Sequence, residues 1–152
     1  MEKTFRFEVL SNLAGRYRVA TLSNNEFFFR CGQYLNLVSP LGKEIPLTIA
    51  SSPLELPNLK VIYRPEPSNP DSLLLEEMLD QQTVDASSPQ GSVGYPTDEK
   101  HLVLICKGTG ISQAASMIEH CKLIPTPRKI LLIWNTDEPL ETQAEDSPET
   151  WF

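Results

Sequence analysis

Residues 101–112 constrain the fold more than any other stretch of this chain. An apolar run, His101–Cys106, ends in Lys107-Gly108-Thr109-Gly110 and leads directly into a helix-compatible segment. An unbroken apolar run is typical of a parallel strand that is covered on both faces. The two glycines allow a sharp turn and a close backbone approach to a ligand, and the following helix start favours a phosphate. The glycines permit such a turn without any ligand as well, so both interpretations stay open at this point.

A second apolar run follows the predicted helix. The helix covers Ser112–Leu123, and the second run is Ile130–Trp134. A strand, a helix and a strand in this order predict a parallel pair with a right-handed crossover. We place this βαβ unit in a domain of residues 100–152, whose acidic tail from Asp137 onward is expected to be solvated.

The first 99 residues have the pattern of antiparallel β-structure. Phe5, Phe7 and Val9 alternate with polar residues, which is the period of a strand with one wet face. Similar short segments recur about every ten residues between polar turns, which favours a small closed β-barrel. The expected strands cover residues 5–9, 17–21, 31–38, 45–51, 59–64 and 84–86, and a short helix is expected at Leu73–Asp80.

Composition excludes several classes of function. A formal net charge of −7 without a basic tract argues against nucleic-acid binding. No apolar run is long enough to span a membrane, and the N-terminal residues lack the apolar core of a signal peptide. Three widely spaced cysteines and two histidines offer no metal-binding pattern. We therefore expect a cytoplasmic protein with reduced, mostly buried cysteines.

Three segments together resemble one superfamily. Cys31–Leu35, Ile45–Pro53 and Leu104–Ser112 are similar, in order and spacing, to the Gly-Gln-Tyr strand, the flavin signature and the Gly-Gly-Thr-Gly loop of ferredoxin–NADP reductase-like flavoproteins. The closest resemblance is to bacterial NAD(P)H–flavin reductases. It implies a flavin-binding β-barrel, FAD or FMN, and electron transfer from NAD(P)H to the flavin, between barrel and βαβ unit.

The resemblance also implies roles for individual residues. Thr48 is expected near the flavin N5, as the one catalytic residue, and backbone groups of Thr48, Ile49 and Ala50 are expected at the polar edge of the ring. Arg64 stands where the family meets a flavin phosphate, although a solvated strand-end arginine is the alternative. The remaining expected cofactor-binding residues are Pro46, Leu47, Lys107, Gly108, Thr109 and Gly110.

Departures from the family pattern weaken the expected binding. Ile45 replaces the signature arginine, and charge-assisted hydrogen bonds of that kind contribute about 1.5–3 kcal/mol. Leu47 replaces an aromatic ring whose stacking adds about 0.5–1.5 kcal/mol beyond buried area. Lys107 stands at the first glycine of the nucleotide loop, where its Cβ obstructs close approach while its charge attracts a pyrophosphate. A flavin held weakly or transiently is expected, and Asp137 and Glu138 lean the nucleotide choice toward NADH.

The length of the chain leaves three interpretations of its function open. The family's parallel sheet has five strands, and a late strand beside the nicotinamide has no counterpart among these 152 residues. The chain is then an active flavin reductase, or a degenerate non-catalytic relative that serves as a binding or interaction module, or an unrelated barrel with a helical appendix. A lone βαβ unit exposes apolar surface, so we expect it to lean on the barrel, or to be covered by a second copy or a protein partner.

Overall fold

A curved antiparallel sheet forms the first part of the molecule. The computed structural model describes residues 3–135, and the predicted acidic tail lies outside them. Six strands hydrogen-bond in the spatial order β4-β3-β6-β1-β2-β5. Their bounds are β1 Thr4–Leu13, β2 Arg18–Ser23, β3 Tyr34–Val38, β4 Glu44–Thr48, β5 Asn58–Tyr63 and β6 Thr83–Ser87.

Alternation of apolar and polar residues along these strands produces one continuous core. Phe7, Leu35 and Val61 belong to this core and are completely buried. Phe27 joins it from the loop after β2 and meets the Phe7 ring edge-on, with ring centroids 5.0 Å apart. The predicted alternating strands are confirmed, and their inward side chains hold the sheet around a single apolar interior.

The sheet is barrel-like, but it is not closed, which corrects the predicted closed barrel. Its two edge strands, β4 and β5, form no ladder with each other. Just after β4 ends, Ile49 makes an isolated bridge with Val61, and the Ala50 N–H donates to the Lys60 carbonyl (2.7 Å). Pro46 lies in β4 and cannot donate to a ladder, and proline is tolerated on an edge strand for that reason. Strand β4 is therefore an edge strand, paired in a ladder with β3.

A short helix, α1 (Pro70–Leu79), connects β5 to β6. Asn69 caps its first turn by accepting the Asp71 N–H at 2.9 Å, and proline occupies the first helical position, as expected for a helix start. Leu75, Met78 and Leu79 bury its apolar side in the barrel core. The helix begins three residues earlier than Leu73, because Pro70 fits the first turn.

The predicted βαβ unit is present and leans on the barrel. Strand β7 (Leu102–Lys107) pairs in parallel with β8 (Ile130–Asn135), and α2 (Ile111–Leu123) connects them after a 3₁₀ turn at Gly108–Gly110. Helix α2 lies between the two sheets. A second apolar cluster joins both parts of the molecule: Tyr17, Val19, Ala50 and Ile62 of the barrel, and Ile111, Ala114 and Ala115 of α2. The division at residues 99 and 100 stays a prediction.

The face of β7 and β8 opposite α2 is apolar and exposed. Val103, Ile105, Leu131 and Ile133 point outward and are 49–76% exposed, and they are neighbours because Val103 pairs with Leu131 and Ile105 with Ile133. A second copy or a protein partner on this face stays a prediction. No helix within residues 3–135 combines the length and apolarity needed to cross a lipid bilayer.

A buried arginine fastens the segment between the two sheets. Arg128 precedes β8 and donates from Nη1 to the Pro96 carbonyl at 2.8 Å and from Nη2 to Asp98 Oδ1 at 3.2 Å. Its guanidinium carbon lies 4.8 Å from the centroid of the Tyr95 ring. The connecting segment is thereby held against the βαβ unit.

Candidate functional site

A cleft of about 540 Å³ lies where the barrel meets the carboxyl end of β7. This volume is within the range of about 300–1,000 Å³ that small-molecule sites occupy, and the end of a parallel strand is where open α/β sheets bind ligands. The cleft brings together seven of the ten predicted cofactor-binding residues from both parts of the molecule: Pro46, Leu47, Thr48, Arg64, Lys107, Gly108 and Thr109.

Strand β4 forms the barrel wall of the cleft. Its alternation turns Ile45 and Leu47 toward the barrel core, where both are buried, while Thr48 is half-buried at the strand end. The two residues that replace the arginine and the aromatic ring of the family therefore also pack in the core. Both side chains also border the cleft, and a charge at the buried position of Ile45 would be costly without a partner.

The other three predicted residues do not line the cleft. The Ile49 N–H donates to the Gln33 carbonyl at 3.1 Å and the Ala50 N–H donates to the Lys60 carbonyl at 2.7 Å. Both side chains are buried. Gly110 ends the 3₁₀ turn, and a Cβ built on it would lie 3.6 Å from Cys106 Cβ. The backbone donors of Ile49 and Ala50 thus serve the barrel itself.

The glycine turn, Gly108–Gly110, is held by Trp134, which also contacts the barrel. Gly108 has a φ of +55°, in the left-handed region that glycine adopts readily. Trp134, in β8, donates its indole N–H to the Gly108 carbonyl at 3.0 Å, and its ring lies 5.3 Å from that of Tyr17 in the barrel. A Cβ on Gly108 would meet no atom within 4 Å, so the turn faces open space.

The segment Gly32-Gln33-Tyr34 is hydrogen-bonded to the loop Pro89-Gln90-Gly91. Gln33 donates from Nε2 to the Gly91 carbonyl at 3.1 Å and accepts the Arg30 N–H at 2.7 Å. Tyr34 and Gln90 exchange backbone hydrogen bonds of 3.0 and 2.8 Å. The Gly-Gln-Tyr motif of the resemblance therefore has a structural role among the described residues.

The sequence reasoning missed part of the cleft wall. Tyr17, Glu66, Asn69 and Asp71 line the cleft together with the start of α1. The Asn-Pro-Asp start of α1 was the available signal, because a helix start attracts anions and marks where such a wall lies. Asp71 also pairs with Lys43 at 3.6 Å. The cleft thus carries cations from Arg64 and Lys107 and carboxylates on the α1 side.

The surroundings of the Cys31 and Cys106 thiols disfavour their reactive thiolate forms. Burial raises the pKa of Cys106, and burial, opposed by a hydrogen bond with Ser116, raises the pKa of Cys31. Thiols of raised pKa are poor nucleophiles at neutral pH. Within residues 3–135, no group of three or more His, Cys, Asp and Glu side chains is arranged to hold a metal ion.

Comparison with known proteins gives sequence relatives among reductases. The chain is 25% identical over 124 residues to a terephthalate 1,2-dioxygenase reductase component from Comamonas sp., and 26% identical over 125 residues to a probable flavin reductase from Aliivibrio fischeri. The matches cover 81% and 78% of this chain, but only 37% and 52% of the relatives. No protein-family model matches the chain.

Solved structures decide the fold. A phthalate dioxygenase reductase superposes with a TM-score of 0.75 at 16% identity, over 86% of this chain and 43% of that one. The chain has the ferredoxin–NADP reductase-like fold. A ferredoxin–NADP⁺ reductase from Neisseria gonorrhoeae with bound FAD and NADP matches as well, with a TM-score of 0.71 at 20% identity, over 91% of this chain and 60% of that one. The predicted fold is confirmed, and it spans only part of the length of each protein named here.

Proposed function

We propose that this chain provides the flavin-binding and pyridine-nucleotide-binding surfaces of an NAD(P)H–flavin oxidoreductase. The observation that carries the proposal is the shared cleft, since Thr48 and Arg64 of the barrel line it together with Lys107, Gly108 and Thr109. The relatives named above are a dioxygenase reductase component and a probable flavin reductase, which supports the catalytic interpretation over the non-catalytic one.

The residues of the cleft fit a flavin and a dinucleotide. Arg64 and Lys107 are exposed cations, and the turn at Gly108 leaves open space for a pyrophosphate. The buried Ile45 and Leu47 supply apolar surface without a charged anchor or an aromatic stack. FAD or FMN bound weakly, as a transient substrate, is the expected state.

The chain positions the reactants and needs no acid or base. When bound, NAD(P)H supplies a hydride and the flavin accepts it. Thr48 offers a hydroxyl donor to the flavin ring near N5, and Lys107 with Gly108 holds the nucleotide pyrophosphate at the start of α2. Leu47 and Tyr17 exclude water from the floor of the cleft. We further propose a cytoplasmic setting, which the three free cysteines support.

Flavin titration tests the proposal directly. Quenching of riboflavin, FMN and FAD fluorescence is expected on addition of the protein, with nicotinamide oxidation above the protein-free rate when NADH and flavin are both present. Lys107→Ala is expected to raise the KM for NADH roughly tenfold, as loss of one charge-assisted contact implies. The matched control is Lys129→Ala, since Lys129 is exposed at the opposite end of the same sheet.

Thr48 is tested with a substitution that keeps its shape. Thr48→Val replaces the hydroxyl by a methyl group and is expected to lower the rate of NADH oxidation by roughly two- to tenfold. Thr83→Val, at an exposed position at the start of β6, is the matched control and should leave the rate unchanged. No quenching at high protein concentration, or a rate equal to the protein-free control, would refute the proposal.

A further inference from the structure

The indole of Trp134 is bonded to the turn that lines the cleft. Trp134 lies in β8 and donates its Nε1–H to the Gly108 carbonyl at 3.0 Å. The Ile111 N–H donates to the same carbonyl and closes the 3₁₀ turn. A carbonyl oxygen has two lone pairs and can accept both bonds. The direction of the Gly108 carbonyl is therefore fixed by two donors, one from the turn itself and one from β8.

The direction of this carbonyl also fixes that of the next amide. The peptide bond between Gly108 and Thr109 is trans, and in a planar trans peptide the C=O and N–H point in opposite directions. The Thr109 N–H therefore points away from the indole. It belongs to the first helical turn, whose N–H groups have no partner within the helix, and no side chain in residues 3–135 caps this turn. Because Thr109 lines the cleft, its N–H is available to an anion bound there.

The indole is itself held in place by packing. Its ring lies 5.3 Å from the Tyr17 ring, centroid to centroid, at an interplanar angle of 57°. Trp134 is partly buried and packs against the apolar cluster that joins the barrel to α2. Tyr17 and Gly108 both line the cleft, one from each part of the molecule. Trp134 therefore contacts a cleft residue on either side and presents its N–H from a fixed position.

The glycine at position 108 has little other restraint. Its φ is +55°, and glycine adopts positive and negative φ about equally readily. A Cβ built on Gly108 would meet no atom within 4 Å, so packing around this position does not select one conformation. The hydrogen bonds to its carbonyl supply the restraint, and Trp134 donates the one that comes from outside the turn.

We propose that Trp134 is a positioning residue that keeps the Thr109 N–H directed at the pyrophosphate of a bound dinucleotide. This inference rests on the proposed function, because it names the residue that orients one donor of that nucleotide site. The effect passes through the peptide between Gly108 and Thr109. Loss of the indole N–H should therefore weaken the binding of nucleotides that carry a pyrophosphate. It should not change the reaction of a dihydronicotinamide that has none.

The experiment removes the indole N–H and keeps the shape of the side chain. In a Trp151→Phe background Trp134 is the single tryptophan, so biosynthetic replacement of tryptophan by benzothienylalanine, which has sulfur in place of the N–H, alters position 134 alone. Trp134→Phe is the second variant and keeps an aromatic ring beside Tyr17. The matched control is Tyr34→Phe, which removes an aromatic donor that bonds Gln90 Oε1 at 3.2 Å, at a residue outside the cleft lining.

Three measurements compare these proteins. Calorimetry gives the Kd of ADP-ribose, which carries the pyrophosphate without a nicotinamide. Flavin reduction gives KM and kcat for NADH, and the rate with N-benzyl-dihydronicotinamide, a hydride donor without a pyrophosphate, after subtraction of the protein-free rate. Both changes at position 134 are expected to raise the Kd of ADP-ribose and the KM for NADH roughly two- to tenfold, the effect of one hydrogen bond. We expect kcat and the rate with the benzyl compound to stay constant, and Tyr34→Phe to change none of these values.

The two hydride donors separate positioning from a general structural effect. Equal losses with both donors, or an unchanged Kd of ADP-ribose, would overturn the inference and leave the proposed function intact. If ADP-ribose binds but no flavin is reduced, the catalytic part of the proposed function fails, and the Kd of ADP-ribose still decides the role of Trp134. If the unsubstituted protein binds no ADP-ribose and oxidises no NADH, the proposed function fails and the inference with it. If Trp134→Phe does not fold, the benzothienylalanine protein decides alone.

Discussion

Two arginine–aspartate pairs in this molecule have nearly the same N–O distance but very different burial of the arginine, so removing the two arginines should have unequal effects on stability. Arg128 Nη2 lies 3.2 Å from Asp98, and Arg6 Nε lies 3.0 Å from Asp85. The side chain of Arg128 is 1% exposed, whereas that of Arg6 is 72% exposed. We predict that Arg128→Ala destabilises the protein far more than Arg6→Ala does.

The magnitude follows from what Arg128 contacts. Its bond to the Pro96 carbonyl (2.8 Å) is partly buried, and charge-assisted bonds contribute about 1.5–3 kcal/mol. Its contact with the Tyr95 ring adds about 0.5–2 kcal/mol. The Asp98 carboxylate is 57% exposed and regains water when the arginine is removed. Arg128 Nε is buried without a partner among the described residues, which offsets about 1 kcal/mol. Arg128→Ala should therefore cost about 1–4 kcal/mol.

Urea unfolding followed by circular dichroism measures this difference. Arg6→Ala should leave the urea midpoint almost unchanged, because an exposed ion pair contributes little to stability. Arg128→Lys keeps the charge but loses the planar fork, so it should lie between Arg128→Ala and the unsubstituted protein. The slope of the unfolding free energy against urea should stay constant, so that the shift in midpoint reports stability. Equal midpoints for Arg128→Ala and Arg6→Ala would refute the reasoning from burial.

Two further predictions concern the glycine turn and a buried carboxylate. Gly108→Ala places a Cβ in open space at a φ of +55°, so strain alone should cost about 1–2 kcal/mol in thermal or urea unfolding; Gly94→Ala, which has no positive φ and an equally open site, should cost less than about 0.5 kcal/mol. Burial and the nearby Glu55 raise the pKa of Glu119, so its contribution to stability is greatest below its ordinary pKa and is lost as the pH rises through the raised value. Glu119→Gln should therefore stabilise the protein at neutral pH and have no advantage below about pH 4; the opposite trend of the urea midpoint with pH would contradict this assignment.

Local patterns in the sequence predicted the elements of this fold because the spacing of apolar residues differs between strands and helices. The alternation through Phe5, Phe7 and Val9 does belong to a strand, and the run at residues 101–106 does belong to a parallel strand. Closure was predicted wrongly, because strand pairing across the barrel depends on where β4 stops and not on its alternation. Pro46 was the visible signal that β4 is an edge.

The contacts that assemble the cleft could not be derived in the same way. Helix α2 packs Ala114 and Ala115 against the barrel, and no pattern in the sequence indicated that Gln113, Ser116 and His120 would bond to the barrel as well. Their spacing was visible in the sequence, whereas their partners are backbone carbonyls and a capping hydroxyl up to 81 residues away. The identity of a side chain does not show which distant backbone atom it will bond, so these contacts can be seen only in the structure.

The position of β6 has a consequence for how the chain is synthesised. It is the last of the six barrel strands along the chain, and yet it lies between β3 and β1 in the sheet. Until Ser87 has left the ribosome, the nascent polypeptide holds two separate blocks, β1-β2-β5 and β3-β4, each with an unpaired inner edge. Open edges of this kind pair readily with other chains. We expect ribosome-bound intermediates shorter than about 120 residues, with roughly 30 residues still in the exit tunnel, to depend on chaperones that cover strand edges. Insertion of β6 should end that dependence.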